Sequence, residues 1–141
     1  MFSKSCTYAI RSVIYLATKD EGRAKTGVEE IASKLDIPRH FLAKTLQQLS
    51  KHSLISSIKG PKGGFYLSKA NDDLTLQHII ECIDGDGFFN NCVLGLPECG
   101  DECPCPMHEH VSAFREDIQD RLKYKKIKDL AKTMELENLK I

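Results

Sequence analysis

The sequence predicts a mainly α fold with a small β-hairpin, and three observations carry that expectation. Apolar residues recur at spacings of three and four along most of the 141-residue chain, the period of amphipathic helices. Two short helical stretches are separated by the tight turn Asp36-Ile37-Pro38, as in a helix-turn-helix. Two β-prone runs then flank Lys59-Gly60-Pro61-Lys62-Gly63-Gly64, where glycines supply the positive φ angles of a hairpin turn. A helix-turn-helix followed by a basic hairpin is the winged helix-turn-helix arrangement.

Each element has its own signal. Residues 3–19 place Cys6, Ile10, Val13, Ile14 and Ala17 on one helical face, with Ser3 as N-cap. Asp20–Gly27 reads as a polar loop. Thr26 and Glu29 fit a capping box that opens a short helix through Ile31, Ala32 and Leu35. Pro38 suits the first turn of the next helix, which runs to about His52 and buries Leu42, Leu46 and Leu49. The β-prone runs cover 54–58 and 65–67. Thr75 caps a helix from Leu76 to Ile83, and Gly85 ends it. From Glu109 to about Tyr124, Val111, Phe114, Ile118 and Leu122 form an apolar seam with charged flanks. Such a seam can pack on its own domain or on a second copy; the second copy is favoured, making this a C-terminal dimerisation helix. Ile127–Met134 reads as a last short helix, and His52 and His78 show no partner.

Composition narrows the function. Hydrophobic residues make up 41% of the chain, enough for a core, and no segment approaches the ~18 consecutive apolar residues of a membrane span. Arg11 interrupts the apolar N-terminal stretch and no small-residue cleavage site follows, so a secretory signal is not expected and a cytoplasmic protein is. The 20 basic and 20 acidic residues cancel, yet they are segregated. Residues 1–70 carry a balance of +7, residues 71–110 carry −9 with no Lys or Arg, and residues 111–141 carry +2. A basic first half suits a polyanion, because Lys and Arg displace counterions from phosphates. No nucleophile motif, phosphate loop or acid–base carboxylate pair points to an enzyme.

Cysteine is the sharper signal. Four of the six fall at Cys92, Cys99, Cys103 and Cys105, followed by His108 and His110. Without a secretion signal, such a cluster reads as metal binding or redox chemistry rather than disulfide stapling. It lies in a stretch, Gly85 to about Met107, too rich in Gly, Pro and Cys for regular structure. Ligand bonds would order such a loop. Structural zinc favours C-x2-C knuckles, which are absent here. Widely spaced thiolates favour an iron–sulfur cluster, with zinc and a thiol-only redox sensor as alternatives. Cys6 and Cys82 lie on apolar helix faces and read as buried, inert thiols. The expected organisation is a winged helix-turn-helix DNA-binding domain over 1–84, a cluster-binding loop over 85–107, and a dimerisation helix with a C-terminal helix over 108–141.

Taken in order, SCTYAIRSVIYLA, IASKLDIP, FLAKTLQQL, LISSIKGPKGGFYLS, LTLQHIIECIDG and the spaced cysteines resemble the Rrf2 family of bacterial transcriptional regulators, which includes iron–sulfur and nitric-oxide sensors. The resemblance spans roughly residues 1–135, and its most specific element is the G-P-x-G-G-[FY] wing joined to the downstream cysteines. It implies a homodimer on double-stranded DNA, each subunit reading half of a pseudo-palindromic operator. It also implies a cluster held by Cys92, Cys99, Cys105 and His108, with [2Fe–2S] favoured over [4Fe–4S] through the histidine. Its recognition helix would be about 39–52, with Arg39, His40, Lys44 and Gln47 facing DNA and Lys59 and Lys62 entering the minor groove from the wing.

The chain also departs from the family pattern. The gap between Cys92 and Cys99 is one residue longer than the commonest spacing, and Cys103 is extra and could replace Cys105. Thr7 stands where one branch supplies a partner-subunit carboxylate. Ala43 replaces a glutamate that discriminates between operators, and Lys59 replaces the more usual arginine.

Overall fold

A computed structural model describes residues 2–19 and 23–141; the first part of the expected polar loop, residues 20–22, lies outside them. The elements are α1 (Lys4–Ala17), α2 (Val28–Leu35), α3 (Arg39–Lys51), β1 (Ser56–Ile58), β2 (Gly64–Tyr66), α4 (Leu76–Asp84), α5 (Gly87–Asn90), α6 (His108–Tyr124) and α7 (Ile127–Leu136). The α1 helix is the hub, packing on α3, α4 and α7. Ser3 caps it by accepting the Cys6 backbone N–H at 3.0 Å. The main core joins Ala9, Val13 and Leu16 to Ile31, Leu35, the Leu42, Leu46 and Leu49 stripe, Ile55, Leu67 and Ile79.

Helix α2 starts differently from the capping-box expectation. Gly27 is its N-cap and makes no side-chain cap bond. Thr26 instead pairs with Phe65 through two reciprocal backbone hydrogen bonds of 2.9 Å. The extended residue before α2 is thus tied to the wing by an isolated antiparallel bridge beside the two-stranded hairpin. The close approach needs glycine: a Cβ at Gly64 would lie 2.8 Å from the Thr26 carbonyl, and one at Gly63 would lie 2.0 Å from the Ile58 oxygen. Pro38 sits at the N-cap of α3 rather than inside its first turn. The hairpin pairs Ser56 with Tyr66, Ser57 with Phe65 and Ile58 with Gly64.

Helix α4 opens on a capping box that the isolated sequence did not disclose. His78 Nδ1 accepts the Thr75 backbone N–H at 3.1 Å, so His78 has a partner after all. The expected irregular loop also contains one helical turn, α5. Its apolar Phe88-Phe89 pair supplies the reason, since Phe89 is buried in a second cluster with Cys6 and Ile80. Ile118 and Leu122 of α6 pack against that same cluster. The predicted seam therefore divides, because Phe114 remains 56% exposed. The α7 helix returns to the main core through Ile127 and Ala131. Among the described residues, no helix is long and apolar enough to cross a membrane.

Candidate metal centre and nucleic-acid interface

The loop after α5 and the start of α6 bring the sulfur donors together. The Sγ atoms of Cys92, Cys99 and Cys105 all lie within 4.8 Å of one another, and Cys92 and Cys105 are 3.8 Å apart. Cys103 is exposed and outside this group. Its backbone instead closes a small turn, exchanging hydrogen bonds with Gly100, while the chain after Cys105 turns through Pro106 and is closed by the His108 N–H on the Cys105 carbonyl at 2.9 Å.

His108, the first residue of α6, places Nδ1 3.3 Å from Cys99 Sγ. Its Nε2 lies 3.3 Å from Asp101 Oδ1. A proton on Nε2 donated to that carboxylate leaves the Nδ1 lone pair facing the sulfurs, the arrangement by which an outer carboxylate orients a ligating histidine. His110 does not join this group.

The thiols are electrostatically unequal. Cys92 is brought down from an ordinary 9.0 to about 7, chiefly because the Leu96 backbone N–H stabilises its thiolate. Cys99 goes up: a hydrogen bond from the Cys105 backbone favours its thiolate, but burial and the neighbouring sulfurs of Cys105 and Cys92 outweigh it. The donors border an open hollow of about 370 Å³ against α6. Arg115 reaches from α6 to the Asn91 carbonyl, immediately before Cys92.

This donor set fits a thiophilic centre. Tetrahedral metal–sulfur bonds of roughly 2.3 Å separate two sulfurs by roughly 3.8 Å, the spacing of Cys92 and Cys105. Soft thiolates with one imidazole suit both zinc and iron–sulfur chemistry.

The basic half presents a second surface. Arg39, His40, Lys44 and Gln47 are all exposed on α3, because the leucine stripe on the opposite side is buried against α1 and its neighbours. Arg39 is ion-paired with Glu29 of α2 at the exposed surface. Lys59 and Lys62 are exposed at the hairpin tip, where the Gly63 N–H closes the turn on Gly60 O at 2.9 Å. A cleft of about 710 Å³ separates helix from wing, bordered by Glu29, Gln47, Lys51 and Lys59. A hydrogen bond of 2.9 Å between Ser50 Oγ and Ser57 Oγ holds α3 to β1.

Several residues here escape a sequence reading. Phe41 is 53% exposed beside these side chains, with its ring 4.2 Å from that of His40; its only signal is an aromatic residue off the leucine stripe. Asp101, Arg115, Glu29 and Gln48 act through residues distant in sequence, so spacing alone does not reveal them.

The comparisons with known proteins agree with this geometry. The family model described as Rrf2, iron-dependent transcriptional regulator, matches residues 2–133. An HTH-type transcriptional regulator of Aquifex aeolicus is 40% identical over 133 residues, covering 92% of this chain and 90% of that protein. The HTH-type transcriptional regulator NsrR of Geobacillus kaustophilus is 31% identical over 117 residues, covering 76% of each. Among solved structures, CymR, the global cysteine regulator of B. subtilis, superposes with a TM-score of 0.75 at 25% identity, covering 94% of this chain and 97% of that one. A winged helix built from these elements, matched over nearly its whole length, makes this chain a member of the Rrf2 family of DNA-binding transcriptional regulators, and not an enzyme.

Proposed function

We propose that the protein is a homodimeric, cytoplasmic regulator whose grip on DNA is set by an iron–sulfur cluster held by Cys92, Cys99, Cys105 and His108. The observation that carries this reading is the meeting of three sulfurs within 4.8 Å, with the His108 imidazole against one of them. When bound, the cluster supplies a group sensitive to redox state, nitric oxide and iron–sulfur supply; [2Fe–2S] is favoured because His108 adds a nitrogen donor. The protein's own part is mechanical. Cys92 and Cys99 hold the loop, Cys105 precedes α6 and His108 begins it. Release of these ligands frees the start of α6 and changes the angle between the two DNA-reading heads. Arg39, His40, Lys44 and Gln47 would read one half of a pseudo-palindromic operator while Lys59 and Lys62 reach the adjoining minor groove. The acidic residues 71–110 face away from phosphate.

Purification without oxygen tests the reading. The wild-type protein is expected to be brown, with equal iron and sulfide counts, and Cys92→Ala should lose the colour. A zinc-stabilised regulator is the second reading, favoured by the 3.8 Å Cys92–Cys105 spacing; it predicts a colourless protein with one zinc per subunit. A metal-free protein overturns both and leaves a thiol-based regulator.

A further inference from the structure

The DNA-reading and ligand-bearing parts of the chain meet at the end of α4. The last carbonyls of a helix have no partner within it. At α4 the Gly85 N–H closes on Glu81 O at 3.1 Å, and the next carbonyl, that of Cys82, accepts the side-chain amide of Gln48 at 2.7 Å. Gln48 belongs to α3, one residue beyond Gln47 of the DNA-facing set. Among the described residues, no other side-chain hydrogen bond links α3 to α4.

Two residues past Cys82, the Asp84 carboxylate accepts the Ser3 backbone N–H at 3.0 Å and the Ser3 hydroxyl. The N-cap of α1 is thereby pinned to the same turn. Gly85 then leaves the helix with φ +78° and the ligand segment begins. Phe89 docks beside Cys6 and Ile80, and Asn91, adjacent to Cys92, gives its carbonyl to Arg115.

We propose that Gln48 is a positioning residue for DNA recognition: its amide, on the Cys82 carbonyl, sets the tilt of the recognition helix against α4 and passes the order of the ligand segment to the base-reading face. The inference rests on the metal-responsive function proposed above. A neutral hydrogen bond is worth a factor of roughly two to ten. It therefore tunes affinity between two states without abolishing binding.

The test uses a duplex selected from a random pool by the wild-type protein. Kd is measured with the metal centre present and after its removal by a chelator. Gln48→Met keeps length and neutrality but removes the donor. It is expected to bring the ratio of the two Kd values toward one, by roughly two- to tenfold, with the visible spectrum and far-UV circular dichroism unchanged. Gln47→Met should weaken both forms and preserve the ratio. A Gln48→Met protein with the wild-type ratio overturns the inference alone. A wild-type ratio of one overturns the metal-responsive reading and this inference with it. Hydrogen exchange in the wild-type protein gives an answer without any variant. Removing the centre should speed exchange at the end of α4 and in the last turn of α3 together; acceleration confined to the ligand loop overturns the inference.

Discussion

Cys6 sits near the start of α1 with no exposed surface. Burial, then repulsion from Asp84, pushes its thiol from 9.0 up to about 12. The thiol stays protonated in the folded chain while the unfolded chain ionises, so the unfolded state binds fewer protons above pH 9 and stability falls between pH 9 and 12. The expected slope is about 1.4 kcal/mol per pH unit. Denaturant titrations of wild type and Cys6→Ala across that range should differ by this slope, and parallel curves would refute the assignment. Burial also raises the thiol of Cys82, and both cysteines should resist alkylation at pH 8 while Cys92 of the metal-free protein reacts. The burial of Cys6 was legible in the sequence because it falls on an apolar helical face; Cys82, read the same way, is only half-buried, at the edge of the main core. The choice between Cys103 and Cys105 was not legible, since two thiols separated by one proline are equivalent until the backbone gives them directions.

The wing shows how far the reading of single elements extends. Its glycines, its order after the helix-turn-helix and its basic tip are local features, and the hairpin forms where they indicate. The bridge at Thr26 was hidden because Phe65 lies 39 positions away, and a polar residue before a helix reads equally well as a cap. The His78 cap was concealed for a different reason: its partners are only three residues apart, but the acceptor is an imidazole rather than the usual Glu or Gln. With Lys59 and Lys62 exposed at the tip, replacing both by Ala should weaken DNA binding on any sequence. It should also make the salt dependence shallower by about one unit per lost phosphate contact. Binding isotherms from low to moderate salt measure this directly, and an unchanged slope removes the wing from the interface.

At the scale of the whole molecule, α6 is divided between two tasks. Ile118 and Leu122 hold it to the second core cluster, while Phe114 presents its ring to solvent. Heptad spacing made the seam visible but could not distribute it, because one apolar period serves a partner helix and a neighbouring core alike. On the homodimer proposed above, Phe114→Glu is therefore expected to leave the 15.9 kDa subunit folded while shifting its sedimentation from dimer to monomer. Operator affinity should then fall by more than about tenfold, since each head binds without its twin. A variant that remains dimeric moves the interface elsewhere on the surface.

The contact between α1 and α7 has a consequence for synthesis. Ile127 and Ala131 complete the core that Ala9, Val13 and Leu16 begin, so α1 and α7 must find each other although the whole segment from α2 to α6 lies between them. Contacts of such long sequence separation form late. Until α7 docks, the apolar face of α1 that meets it stays uncovered. A chain that stops short of residue 127 therefore lacks the helix that covers this side of α1, and is expected to aggregate through the apolar face left open.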